Sequence, residues 1–193
     1  MMPAMATRRQ DIAHVAARVI ADEGLERASM REIAGQMGVT IGTLTHQFRN
    51  REDLLRTTFE MTVHAIRDRA AGSARGKRGV ALLTALVAEG LPTSDTRRVQ
   101  TAVWLAFAMS AITNDNHARL SMRHYREWED ALTAAVAGLE VVPVRDARDA
   151  ARLLIAVTDG IAMRALADRE LSHPEQERLL AEAFGAIVGT CVA

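Results

Sequence analysis

Residues able to do covalent or metal chemistry are few in this chain, and their spacing excludes more than it suggests. Six histidines are present, but none stands at the His-x-x-x-His or His-Glu-x-x-His spacing that aims two imidazoles at one metal ion. No phosphate-cradling glycine loop, nucleophile elbow or dinucleotide fingerprint occurs. Cys191 is the one cysteine, so neither a disulfide framework nor a cysteine cluster forms within one chain. Asp159, set in an apolar helical stretch, is the best candidate for a buried carboxylate, and a hydrogen bond is its expected role. The sequence argues against an enzyme, and no metal or cofactor is expected. What remains is a run of small hydrogen-bonding residues: Thr40, Gly42, Thr43, Thr45, His46 and Gln47. Their side chains donate and accept at the edges of bases, and the small ones let a backbone approach a groove floor.

Such a run works only if a rigid element presents it. Ser29-Met30-Arg31-Glu32 has the capping-box form and opens a short helix, which Gly38 ends near Met37. A second short helix is expected from Thr40 to Phe48. Ala34 is small enough for a steep crossing, and Gly38 tolerates the positive φ of a tight turn. Ile33, Met37, Val39 and Leu44 are spaced to pin the pair to a shared core. Residues 29 to 48 thus read as a helix-turn-helix, with an ordinary helical hairpin as the alternative. The flanks favour the first reading. Ser29 and Asn50-Arg51 place capped helix N-termini on either side of the second helix, where such ends bind phosphates.

The rest of the chain has helical period and little strand period. Ile12, Val15, Ala16 and Val19 mark a first helix over about 8 to 23, stopped by Gly24. A long helix follows Asn50, through Leu54, Leu55, Phe59, Val63 and Ile66. The small, basic, glycine-rich stretch 72 to 79 reads as a loop. Helices then resume over about 80 to 89, 95 to 113, 117 to 138, 145 to 168 and 173 to 191, with Pro92, Pro143 and Pro174 near the breaks. Asn114 to His117 reads as a loop cap, and Ser172-His173-Pro174-Glu175 as a further capping box. The expected fold is all-α: an N-terminal helix-turn-helix unit over 1–50 and a larger helical bundle over 51–193, about nine helices in all.

The chain has 193 residues, 49% hydrophobic and 25% charged, enough for a packed core without disorder. Its 24 basic and 24 acidic residues cancel, so nucleic-acid binding would depend on where the charges sit. Only Lys77 among the basic residues is a lysine, and arginine suits phosphate and base-edge contacts. The N-terminus lacks an apolar run, and the most apolar stretch, 99 to 112, is too short to span a bilayer. A cytoplasmic protein without membrane contact is expected.

From Arg9 to Leu55 the chain resembles the N-terminal domain of the TetR family of transcription regulators. The matching residues include Ala16-Ala17, Gly24-Leu25, Ala28-Ser29-Met30, Ile33-Ala34, Met37-Gly38-Val39, Gly42-Thr43-Leu44, Phe48 and Arg51-Glu52-x-Leu54-Leu55. The resemblance implies a DNA-reading helix over Thr40 to Gln47 and phosphate contacts near Ser29, Arg31 and Arg51. It also implies a homodimer on a palindromic duplex operator, released by a small-molecule inducer. One position departs from the family, which usually carries a phosphate-touching tyrosine where Thr45 stands. His46 or Gln47 is expected to take over that contact. A helical interaction module without sequence-specific DNA binding is the reading from another class.

Farther on, Val103-Trp104-Leu105-Ala106-Phe107, Tyr125-Arg126-x-Trp128 and Thr158-Asp159-Gly160-Ile161 resemble the C-terminal domain of the BetI-like subgroup. An interior rich in aromatics and methionine makes a reasonable small-molecule cavity. Trp104, Phe107, Tyr125, Trp128 and Asp159 are the expected ligand contacts, with Met61, His64, Met109, Ile112, Met122 and Met163 lining the same space. Plain core packing is the alternative for each. The last two helices carry Ala147, Ala150, Ala151, Leu154, Val157, Ile161 and Ala165, then Leu179, Leu180, Ala183, Phe184, Ile187, Val188 and Cys191. Small residues permit close helix approach. These pack either within the chain or, as the family implies, in a four-helix dimer interface.

Overall fold

A computed structural model describes residues 9–139, 146–168 and 170–189. Among them are nine α-helices: α1 Arg9–Glu23, α2 Met30–Met37, α3 Ile41–Gln47, α4 Arg51–Ala74, α5 Gly79–Ala88, α6 Asp95–Ser110, α7 Asp115–Ala137, α8 Ala147–Ala167 and α9 His173–Val188. A single 3-10 turn, Leu25–Arg27, joins α1 to α2. Pro143 and Cys191 lie outside the described residues.

The short N-terminal helices end where their caps dictate. Ser29 Oγ accepts from Glu32 N at 3.1 Å. The reciprocal half of the expected capping box is missing, because Glu32 Oε1 accepts from Gln36 instead. Gly38 has φ 65°, and its N–H returns to the carbonyls of α2, so the chain turns in the left-handed conformation that glycine adopts without strain. Val39 N donates to Ala34 O at 3.0 Å, which sets the angle at which α3 leaves.

The chain needs a long strut to join its ends, and α4 supplies it. Its 24 residues span about 36 Å at 1.5 Å per residue. Asn50 Oδ1 accepts from Asp53 N at 2.9 Å and starts it. The helix runs through Gly72 to Ala74, so the predicted loop is shorter than expected: alanine and serine around Gly72 sustain a helix, and the break waits for Gly76, with φ 73°.

Two apolar cores stack along this strut. The first joins Ile12, Ala16, Val19 and Ile20 of α1 to Ile33, Leu44 and Phe48, and continues into Leu55, Phe59 and Val63 of α4 and Val103 and Phe107 of α6. The second joins Leu83 and Val87 of α5, Leu132 and Val136 of α7, Ala151 and Leu154 of α8, and Leu180, Ile187 and Val188 of α9. Between the two lies Glu89, only 4% exposed. It accepts from Arg69 Nε at 2.5 Å, Ser73 Oγ at 2.8 Å and Arg97 Nη2 at 2.8 Å. That arrangement ties α4 to α6 with the carboxylate paired and hydrogen-bonded, the condition for burying a charge.

Candidate nucleic-acid interface and ligand site

Within α3 the buried side is Leu44, with Thr43 half-buried, while Ile41, Gly42, Thr45, His46 and Gln47 face outward with Thr40 at the cap. The threonine hydroxyls are partly committed. Thr40 Oγ1 accepts from Thr43 N at 3.3 Å and lies 3.2 Å from Thr43 Oγ1. Thr45 Oγ1 donates to Gly42 O at 3.0 Å, which leaves its lone pairs as acceptors toward solvent. Ile41, 47% exposed, was missed by reading for polar residues. An outward apolar side chain suits the thymine methyl of a major groove, and its helical phase with Thr45 was the available signal.

The flanks differ from expectation at one residue. Arg51 is turned inward: its Nε donates to Ala28 O at 2.9 Å and Nη2 to Leu25 O at 2.6 Å. Leu25 O also accepts from Ala28 N at 3.2 Å, so the guanidinium adds to the bonding of the 3-10 turn and ties it to α4. Arg51 therefore holds that turn through Nε and Nη2, a commitment that the phosphate contact expected of it would have to share. Arg31 is exposed on α2 and Ser29 is half-buried at its start. Alongside α3 lies a concave surface formed by Arg9, Thr45, His46, Gln47, Phe48, Arg49, Asp53 and Arg56. Of its charged members, Arg9, Asp53 and Arg56 lie outside residues 29 to 51, with Arg9 reaching it from α1, while Arg49 lies within them and was not singled out.

In the bundle the predicted aromatics do meet. Trp104 of α6 lies 4.6 Å from Tyr125 and 6.1 Å from Trp128 of α7, the second pair edge-on, and 5.9 Å from Phe59 of α4. Tyr125 Oη donates to Asp159 Oδ2 of α8 at 2.5 Å. Burial pushes the Asp159 carboxyl above its ordinary range, against the lowering effect of Tyr125 and Trp104. Burial also raises the Tyr125 phenol, with the adjoining carboxylate adding to the rise. The buried Trp104 Nε1–H makes no well-formed hydrogen bond, although it is near enough to Asp159 to stabilise its charge.

Several expected lining residues are elsewhere. Phe107 is fully buried in the first core, stacked on Phe59 at 4.4 Å and near His117 at 4.6 Å. Met61 is half-buried and His64 exposed. Met109, Ile112, Met122 and Met163 are 62%, 74%, 43% and 59% exposed, which corrects their placement in the cavity. The reason is helical phase. Met109 sits roughly 200° around α6 from Phe107, Ile112 lies beyond the end of α6, and Met163 occupies the outer stripe of α8. Conversely, the buried His124, 5.7 Å from Phe59, was not anticipated.

Comparison with known proteins decides the family. Residues 79–189 match the family described as BetI-type transcriptional repressor, C-terminal, and residues 12–58 match the bacterial regulatory proteins of the tetR family. The chain belongs to the TetR family, with a BetI-type C-terminal domain. It is a DNA-binding transcriptional repressor and not an enzyme. The chain is 28% identical over 174 residues to the transcriptional regulator PksA of Bacillus subtilis, covering 83% of this chain and 80% of that one. A transcriptional regulator from Rhodococcus sp. Rha1 superposes with a TM-score of 0.86 at 26% identity, covering 95% and 99% of the two chains. A regulator from Saccharomonospora viridis, solved in complex with choline, also gives 0.86, at 24% identity and the same coverage. No helix among the described residues of this repressor is long and apolar enough to cross a membrane.

Proposed function

We propose that this repressor binds a palindromic operator as a homodimer and is released from it by a small organic cation held at Trp104, Tyr125, Trp128 and Asp159. The observation carrying the ligand class is the environment of Asp159. Its polar neighbours are neutral, the Tyr125 hydroxyl donating at 2.5 Å and the Trp104 indole standing nearby, while three aromatic rings stand together beside it. Asp159 is half-buried, and a carboxylate partly withdrawn from water without a countercharge is costly. Aromatic faces attract a cation, most strongly when water is excluded. A quaternary ammonium entering the cluster supplies the missing charge, and the choline bound by the Saccharomonospora viridis regulator belongs to this class.

Ser29, Arg31, Thr40, Gly42, Thr43, Thr45, His46 and Gln47, joined by Ile41, form the DNA-facing set, with residues 1–50 as the reading unit and 51–193 as the sensing and dimerising unit. The cytoplasm is where such a protein meets its operator. Phe59 of α4 packs on Trp104, and α4 begins beside α3. A ligand at the aromatics therefore shifts the population between two placements of α4 in proportion to its preference for one of them. The dimer forms through α8 and α9. Leu153, Ala156, Gly160, Met163 and Ala167 are all exposed along α8 at alternating three- and four-residue spacing, the pattern of a helix-packing seam.

Tryptophan fluorescence tests the ligand class, because both tryptophans of the chain stand in the cluster. Choline is expected to quench the wild type, and its uncharged analogue 3,3-dimethylbutanol to have far less effect. Asp159→Asn and Trp104→Ala are expected to weaken choline binding at least roughly ten-fold, the scale of a desolvated cation–π or charge contact. Equal response to the charged and neutral compounds, or no response to either, would remove the cation from the proposal.

A further inference from the structure

We propose that Asp53 is the positioning residue that orients the recognition helix α3, acting through Arg9, and that it sustains preference for the operator over random DNA rather than overall affinity for DNA. This rests on the operator-binding reading above. Asp53 lies in the first turn of α4 and is 7% exposed. Its Oδ1 accepts from Arg9 Nη2 at 3.3 Å and Arg56 Nη2 at 2.8 Å, and its Oδ2 from the backbone N–H of Arg49 at 3.2 Å. Arg49 Nε stands 3.8 Å away. One carboxylate therefore gathers three arginines, from α1, from the segment after α3 and from α4.

Arg9 carries the restraint onward. Its Nη1 donates to the carbonyl of Gln47, the last residue of α3. Its Nη2 also donates to Thr57 Oγ1 at 2.8 Å, and its guanidinium lies 4.2 Å over the ring of the buried Phe48. The final carbonyls of a helix have no partner within the helix, so Arg9 holds the end of α3 while Asp53 holds Arg9. The geometry fixes α3 against both α1 and α4. The charges act in the other direction. Asp53 adds one negative charge to a basic surface that includes Arg9, Arg49 and Arg56, and phosphate attraction that ignores sequence grows with net positive charge. Removing the carboxylate thus loosens the reading helix while strengthening sequence-independent attraction. A role confined to fold stability lowers both affinities together.

The test uses the full-length protein. An operator is first enriched from random duplex DNA with the wild type. Affinities for that operator and for a scrambled duplex of equal length are then measured across a salt series for wild type, Asp53→Asn and Asp53→Glu. Stoichiometric titration supplies the binding-competent fraction of each. Asp53→Asn is expected to weaken operator binding about ten-fold, the scale of a lost charge-assisted contact. Scrambled-duplex binding is expected to hold or tighten, and Asp53→Glu to recover part of the preference. An unchanged ratio, whether both affinities fall or neither moves, overturns the positioning role. Failure of the wild type to enrich any sequence overturns the operator-binding reading, and this inference with it.

Discussion

His124 illustrates what a single buried group does to the behaviour of the chain. Its side chain is 4% exposed. Burial first, then the charges of Arg67 and Arg123 and the neighbouring His64, hold its pKa near 4 against an ordinary 6.5. Glu127, 3.0 Å from Nδ1, does not offset them. The imidazole is therefore neutral in the native state when the unfolded chain would already bind a proton. Stability from this group is complete above the ordinary value of 6.5 and is lost as pH falls toward about 4. Urea unfolding at a series of pH values is expected to show His124→Gln losing less stability over that window than wild type. An identical pH slope would remove His124 as the cause. Legibility at this scale follows from locality. The cap at Ser29 was readable because its partner is three residues away. The inward bonds of Arg51 were not readable because their acceptors, Leu25 and Ala28, lie outside its own helix.

At the scale of elements, one close approach governs the packing beside Trp128. Gly90 follows α5, and a Cβ there would stand 2.5 Å from Thr158 Cγ2 and 3.4 Å from Trp128 Cη2. Thr158 is fully buried, and its hydroxyl donates to Leu154 O at 2.7 Å, so it has little room to yield. Gly90→Ala is expected to cost about 1–3 kcal/mol through overpacking, read as a lowered thermal midpoint with altered tryptophan fluorescence. A fully wild-type melt would show that α5, α7 and α8 slide apart freely. The period of α8 was legible in the sequence, but its division into two faces was not. Ala150, Ala151 and Leu154 pack inward with Leu180, Ile187 and Val188 of α9, and Ala165 is buried as well. Most of the residues first considered for a dimer surface thus belong to the chain's own core, and the outer stripe of α8 is the one left for a partner.

For the whole molecule, the proposed homodimer would recognise its operator through two reading helices held at a fixed separation, because half-sites repeat about every 34–36 Å along DNA. The exposed α8 stripe includes Met163, and a charge there would be buried without a partner on association. Met163→Glu is expected to sediment as a monomer with its fold intact, and to lose about 10²- to 10⁴-fold in operator affinity as the second half-site contact disappears. Sedimentation and operator titration on one sample check both effects. A dimeric variant with undiminished affinity would place the interface elsewhere.

The sequence alone determined the helices, their caps, the tight turn at Gly38 and the outward polar face of α3. These follow from backbone hydrogen bonds and side-chain periods that act within one or two turns. It also brought Trp104, Tyr125, Trp128 and Asp159 under suspicion together through their resemblance to relatives. Only the tertiary structure decided which of the apolar residues share an interior and which face out, as Met109, Ile112, Met122 and Met163 do. Only it joined Arg9 to Asp53 across 44 residues of chain. Helical period states that a residue has an inside and an outside. The crossing of several helices, set by packing over the full length of the chain, decides which neighbour waits on each side.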